Sequence, residues 1–120
     1  MVSVEERNVS REDLVLRRVK DLLKTHDKCV GLRITNITGM PDMIACVNGH
    51  FLGIEVKDDI NGSYGMTKAQ KVRLIQIANA GGLACCVDKN NYAEFVKLID
   101  NLSKSDILPD CRFWGWEGVI

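Results

Sequence analysis

Gly39-Met40-Pro41-Asp42-Met43-Ile44-Ala45-Cys46-Val47-Asn48-Gly49-His50-Phe51-Leu52-Gly53-Ile54-Glu55-Val56-Lys57 places two apolar runs, Asp42–Val47 and Phe51–Lys57, on either side of an Asn-Gly pair. Asn and Gly both tolerate the positive φ that a two-residue type I′ turn demands, so the stretch is predicted to be a β-hairpin. The turn sets a register in which Val47 faces His50, Cys46 faces Phe51 and Asp42 falls opposite Glu55. A four-residue loop over 47–50 leaves the same pairs aligned. Opposed residues share a face of the sheet, with Cβ atoms about 4.5–5.5 Å apart. Lys57, two residues beyond Glu55, points to that face as well.

Two carboxylates facing each other on a largely apolar hairpin repel and destabilise it. Their neighbours Ile44, Ile54 and Val56 offer no solvation. A divalent cation between them removes the conflict, and hard oxygen ligands suit Mg²⁺ or Mn²⁺. Such an ion polarises a scissile phosphate and acidifies a bound water. A lysine beside it can orient or deprotonate that water, or neutralise developing charge. The plainer reading puts Asp42 and Glu55 at solvated strand ends, with Lys57 as a salt-bridge partner. One register shared by all three, with Pro41 fixing the approach to the strand, favours a site.

Outward from the hairpin, Ser10 followed by Asp13 resembles a capping box. Leu16, Val19 and Leu23 then recur at helical spacing, which predicts a helix from about Arg11 to His26. Cys29 to Ile37 is rich in branched residues and reads as extended. Downstream, residues 58–66 are dense in Asp, Asn, Gly and Ser and read as a loop. Thr67 with Gln70 opens a second helix, Leu74, Ile75, Ile77 and Ala78 supply its apolar side, and Gly81-Gly82 end it. Leu83–Val87 reads as a short strand. Asn90 or Asn91 starts a third helix carrying Phe95, Val96, Leu98 and Ile99. The order helix, three strands, helix, strand, helix predicts an α/β fold with a mixed sheet flanked by helices. No repeat or linker divides the 120 residues, so one domain is expected, with a core over about 10–100 and a tail over 104–120. In that tail, Phe113-Trp114-Gly115-Trp116 suits either packing onto the core or sealing an interface.

Apolar residues make up 46% and charged residues 27%, the balance of an ordinary globular domain. No apolar run approaches the roughly 20 residues of a membrane span, and MVSVEERNVS lacks the apolar segment of a secretory signal. A cytoplasmic setting without a membrane partner is expected. Five cysteines, an odd number with no CxxC pair, argue against a zinc cage or a disulfide framework. Three of them lie in apolar runs, where a reduced cysteine serves as a small core residue. The formal net charge is zero, which counts against nucleic-acid binding. Charge is unevenly spread, however. From Ile60 to Val87 there is no Asp or Glu, while Lys68, Lys71 and Arg73 sit together, so a local basic patch is expected.

Gly39-Met40-Pro41-Asp42, Ile54-Glu55-Val56-Lys57, Thr67-Lys68-Ala69-Gln70 and Ala80-Gly81-Gly82-Leu83 together resemble the VRR-NUC (virus-type replication-repair nuclease) group of the PD-(D/E)XK nucleases, over roughly Glu12 to Leu98. The resemblance implies an αβββαβ core of the restriction-endonuclease-like kind. It implies Asp42, Glu55 and the backbone carbonyl of Val56 as ligands of Mg²⁺ or Mn²⁺, and Lys57 as the catalytic lysine. It implies hydrolysis of DNA phosphodiester bonds, with small viral-type members similar to Holliday-junction resolvases and acting as homodimers, in the bacterial host cell where the source is viral. Two further residues follow from it. Glu12 matches a glutamate that members often carry on the first helix; it also lies four and seven residues before Leu16 and Val19, on the inward stripe, and suits the helix dipole by itself. Gln70 matches the family's glutamine, yet also completes a capping box with Thr67. Lys68, Lys71 and Arg73 are the expected phosphate contacts. Alternatives of the same fold are a flap or end-processing nuclease and a non-catalytic DNA-binding domain.

Overall fold

The computed structural model describes residues 11–61 and 65–116. Among them, helix α1 (Arg11–Thr25) leads into β1 (Cys29–Arg33), β2 (Met43–Val47) and β3 (His50–Val56). Helix α2 (Lys68–Asn79), β4 (Leu83–Val87), α3 (Tyr92–Ser103) and β5 (Phe113–Trp114) follow. The five strands lie side by side in chain order. β1, β2 and β3 are antiparallel neighbours, whereas β4 runs parallel to β3 and β5 parallel to β4. This is the α/β arrangement with a mixed sheet that the sequence predicts, extended by one short strand. The Ser10 cap predicted for α1 lies outside the described residues. No helix among them is long and apolar enough to cross a membrane.

The hairpin has the predicted register. Val47 pairs with His50, Cys46 with Phe51 and Met43 with Ile54. Asn48 and Gly49 hold φ of 49° and 84°, the left-handed values that a type I′ turn requires. The Asn48 side chain also donates to Leu102 O and Ser105 O at 3.3 and 3.1 Å, tying the turn to the end of α3. The extended stretch expected to reach Ile37 stops as a strand at Arg33, and Asn36, at φ 63°, leaves the extended region altogether. Asp42 and Lys57 lie one residue outside the ends of β2 and β3. Ile34 N–H still donates to Asp42 O at 2.8 Å, so the β1–β2 ladder reaches the site.

Strand alternation sorts the sheet's residues onto two faces. Met43, Ala45, Val47, Leu52, Ile54, Val56, Leu83, Cys85 and Val87 pack against Val15, Leu16, Val19 and Leu23 of α1 and Phe95, Ile99 and Leu102 of α3. On the other face, Ala84 and Cys86 meet Leu74 and Ala78 of α2 and Trp116. Glu55 belongs to this second face by alternation with Ile54 and Val56. Gly53 lets α2 come down on it: a Cβ there would lie 2.5 Å from Ile77 Cδ1. That close approach of α2 to β3 brings the helix's first turn over the end of the strand.

One expectation is corrected here, and one alternative left open by the sequence is decided. Cys46, grouped from sequence with the buried Cys85 and Cys86, is exposed, because its row across the sheet, Val30–Cys46–Phe51, is uncovered, with Val30 63% and Phe51 46% exposed. The aromatic tail packs onto the core. Trp116 is buried and its Nε1 donates to Ala84 O at 3.0 Å. Phe113 meets Trp116 edge-on at 4.8 Å, and Trp114 tilts against Phe95 at 5.4 Å. Aromatic surface of this size gains more from the core beside β4 than from remaining exposed.

Candidate active site

Asp42 sits just before β2, and its Oδ2 accepts a 2.7 Å hydrogen bond from the N–H of Val56. A side chain therefore continues the β2–β3 pairing where the ladder ends. Glu55, next along β3, is only 1% exposed. Its Oε1 accepts from Nε2 of Gln70 at 3.2 Å, while Oε2 is buried without a hydrogen-bond partner. Burial pushes the Glu55 carboxyl up to about 9; a hydrogen bond with Asp42 and the charge of Asp42 push the same way, and Lys57 opposes them. As a carboxylate, Oε2 has no donor; once protonated, the group becomes a donor itself, with Asp42 the acceptor beside it. Lys57 is 7% exposed, and its backbone N–H donates to Val87 O at 2.9 Å. Glu55 and Lys57 are thus buried rather than solvated, whereas Asp42, just outside β2, is half-buried.

Helix α1 brings Glu12 to the same place. It is half-buried, and its carboxyl is raised above the usual range, chiefly by burial. Lys57 lowers it, and Asp42, Asp13 and Asp58 raise it, so Glu12 lies within the electrostatic reach of both Lys57 and Asp42. Gln70 fills both roles that its sequence position left open. Its Oε1 accepts from Thr67 N–H at 2.9 Å and its backbone N–H donates to Thr67 Oγ1 at 3.2 Å, completing the capping box, while Nε2 reaches Glu55. A glutamate would cap equally well but has no donor to turn towards Glu55.

The donor set fits a hard divalent cation. The Asp42 and Glu55 carboxyls lie within hydrogen-bond reach of each other, Glu55 Oε2 is buried without a partner, and Glu55 Oε1 is held by the Gln70 amide. The amide and carbonyl of one extended residue leave the strand on the same side, so the Val56 carbonyl leaves β3 on the Asp42 side. No group of three or more His, Cys, Asp or Glu side chains able to hold a metal occurs among the described residues. Magnesium does not require one, since it is commonly held by one or two carboxylates and completed by water.

The three basic residues line two different cavities. Lys68 and Arg73 line a cavity of about 520 Å³ together with Thr38 and Gly39. Lys71 opens into a separate cavity of about 350 Å³ beside Ile60, Asn61 and Met66. Around α2, Lys71 lies about 60° to one side of Lys68 and Arg73 about 140° to the other, so the three side chains fan out and Lys71 reaches a different cavity. The basic surface straddles the first half of the helix, with Gln70 between.

Sequence reasoning missed Asp88. It is 2% exposed, and its carboxylate accepts from the amides of Ile60, Asn90 and Asn91 at 2.9, 2.9 and 3.0 Å. The pattern Asp88-Lys89-Asn90-Asn91 after a strand is an Asx-turn signal that could have located the bonds to Asn90 and Asn91. Nothing local announces the bond to Ile60.

No family model matches the chain, and neither does any curated protein or solved structure.

Proposed function

We propose that the chain is a metal-dependent DNA endonuclease with a core of the PD-(D/E)XK kind, and that Asp42, Glu55 and Lys57 are its catalytic centre. The observation that carries this reading is the buried Glu55 carboxyl, with one oxygen unpartnered, between the half-buried Asp42 and the buried Lys57. Mg²⁺ or Mn²⁺ bound there by Asp42, Glu55 and the Val56 carbonyl would polarise the scissile phosphate and lower the pKa of a bound water. The chain's own residues have distinct tasks. Val56 N–H and Gln70 Nε2 each fix one carboxylate oxygen, which leaves the remaining oxygens directed into the site. Lys57 orients the attacking water or neutralises charge on the phosphate oxygens. Glu12 lies where it can hold the Lys57 ammonium by charge. Lys68 and Arg73, which line one cavity beside α2, and Lys71, which lines another, bind backbone phosphates.

Branched DNA, such as a four-way junction, is the proposed substrate and a homodimer the proposed active form, in a cytoplasmic setting. One copy with zero net charge has little basic surface, and a second doubles its phosphate contacts. Trp116 is buried in the core, and the exposed apolar side chains Val30, Leu32 and Phe51 on the sheet are the surface proposed for the dimer. Flap or end processing is the second reading, favoured by the division of the cations between two cavities, which suits strands diverging around α2. The test is cleavage of four-way junctions, flaps and linear duplexes with Mg²⁺ and with EDTA. Junction cleavage that needs the metal supports the resolvase-like reading, preference for flaps supports the second, and no cleavage of any substrate refutes both.

A further inference from the structure

Segment 57–60 leaves the proposed catalytic lysine and runs on alongside 87–89 beyond the end of the β3–β4 ladder. Lys57 N–H donates to Val87 O at 2.9 Å, and Lys89 N–H donates back to Asp58 O at 3.2 Å. The Lys89 ammonium lies 3.5 Å from Asp58 Oδ2. The last link is Ile60 N–H to Asp88 Oδ2 at 2.9 Å, and it is the one made by a buried carboxylate. Asp88 is itself immobilised. Its Oδ1 takes the amides of Asn90 and Asn91, and its own N–H donates to Asn91 Oδ1 at 2.9 Å. Asn91 Nδ2 in turn donates to Cys86 O at 3.0 Å. A buried acid held this firmly fixes whatever it holds, because leaving one of its three donors unpaired in the interior is costly.

We propose that Asp88 is a positioning residue for the proposed nuclease reaction: it clamps the chain just after Lys57, so that the lysine and the Val56 carbonyl keep their places at the end of β3. This inference rests on the nuclease reading of the site. The hydrogen bonds accepted by the Asp88 carboxylate come from Ile60, Asn90 and Asn91, none of them a proposed metal ligand, so it acts through Ile60 and the strand end. Misplacement of a catalytic group by about 1 Å can lower a rate by about a hundredfold, which makes such a clamp consequential.

The carboxylate's unequal duties supply a selective test. In Asp88→Asn, the remaining carbonyl oxygen keeps Asn90 and Asn91, where two donors converge, and the new NH₂ faces the Ile60 amide, which then has no acceptor. The expected result is a cooperatively folded chain in which amide hydrogen exchange at Ile60 and Lys57 is faster than in the wild type. Junction DNA affinity measured with Ca²⁺ should stay within about twofold, while the single-turnover cleavage rate with Mg²⁺ at saturating DNA falls about ten- to a hundredfold. Lys89→Ala, which removes only the exposed ion pair, should leave that rate within about threefold. A merely structural Asp88 would lower thermal stability without changing the rate per folded molecule. Wild-type single-turnover cleavage in Asp88→Asn with a demonstrably loosened Ile60 amide overturns the proposal and leaves the nuclease reading standing. Full cleavage by Lys57→Ala overturns the nuclease reading, and the positioning role with it.

Discussion

Replacing Glu55 with glutamine should stabilise the metal-free protein, against the usual direction for a buried polar substitution. The folded carboxyl is held at about 9 against an ordinary value of 4.5. A carboxyl raised by folding binds its proton more tightly in the native state. Its contribution to stability is therefore complete below about 4.5 and is lost as pH rises towards about 9. At pH 7 the loss spans about 2.5 pH units, or roughly 3 kcal/mol at about 1.4 kcal/mol per unit. Glutamine is isosteric with the protonated acid, keeps a donor towards Asp42 and does not titrate. Glu55→Gln should accordingly match the wild type near pH 4.5 and exceed it by roughly 3 kcal/mol at pH 7 in EDTA, about 10 °C in melting temperature for a domain of this size. Added Mg²⁺ should raise the melting temperature of the wild type, since a bound cation replaces the proton, and should raise that of the variant far less. The assay is thermal unfolding of both proteins from pH 5 to 8.5, with EDTA and with Mg²⁺. A wild-type advantage in EDTA at pH 7, or a stability difference that does not change with pH, would refute the reasoning.

Further perturbations separate the roles of the remaining residues. Lys57→Ala should slow single-turnover cleavage by about a hundredfold or more while binding survives, read by cleavage and Ca²⁺-supported gel shift. Gln70→Glu keeps the cap but sets a third carboxylate against Glu55 Oε1, so cleavage should fall while helix content by circular dichroism is unchanged; full activity would reduce Gln70 to a cap. Lys68→Ala and Lys71→Ala should each weaken DNA binding and reduce the slope of log affinity against log salt by about one. Trp116→Ala should cost about 3–5 kcal/mol in urea unfolding without altering sedimentation mass, because the ring is buried in the core beside β4.

The hairpin was legible in sequence because its information is local. Asn48-Gly49 accepts one turn type, and that turn fixes every pair from Val47–His50 down to the level of Asp42 and Glu55. The α2 cap was legible for the same reason, Thr67 and Gln70 being three residues apart. What depends on distant residues was not. Phe113–Trp114 is too short to show a strand pattern, and becomes one by pairing with Ala84 and Cys85. The burial of Glu55 follows from α2 lying close over Gly53, a contact between segments that sequence spacing does not report. Lys68, Lys71 and Arg73 are neighbours along the chain but fan out around a helix, and adjacency in sequence hid that division. Asp88 reaches Ile60 across 28 residues and carries no local signature of the bond.

Paired preparations of the wild type and Asp42→Asn test most directly whether Asp42 and Glu55 hold a metal needed for DNA cleavage. Both are purified identically and given a labelled four-way junction in Mg²⁺, with EDTA as control, so that a contaminating nuclease would appear in both. Wild-type cleavage that EDTA abolishes and that Asp42→Asn lacks, with both proteins equally folded by circular dichroism, is the predicted result. Equal cleavage by the two proteins, or wild-type cleavage that persists in EDTA, would contradict it.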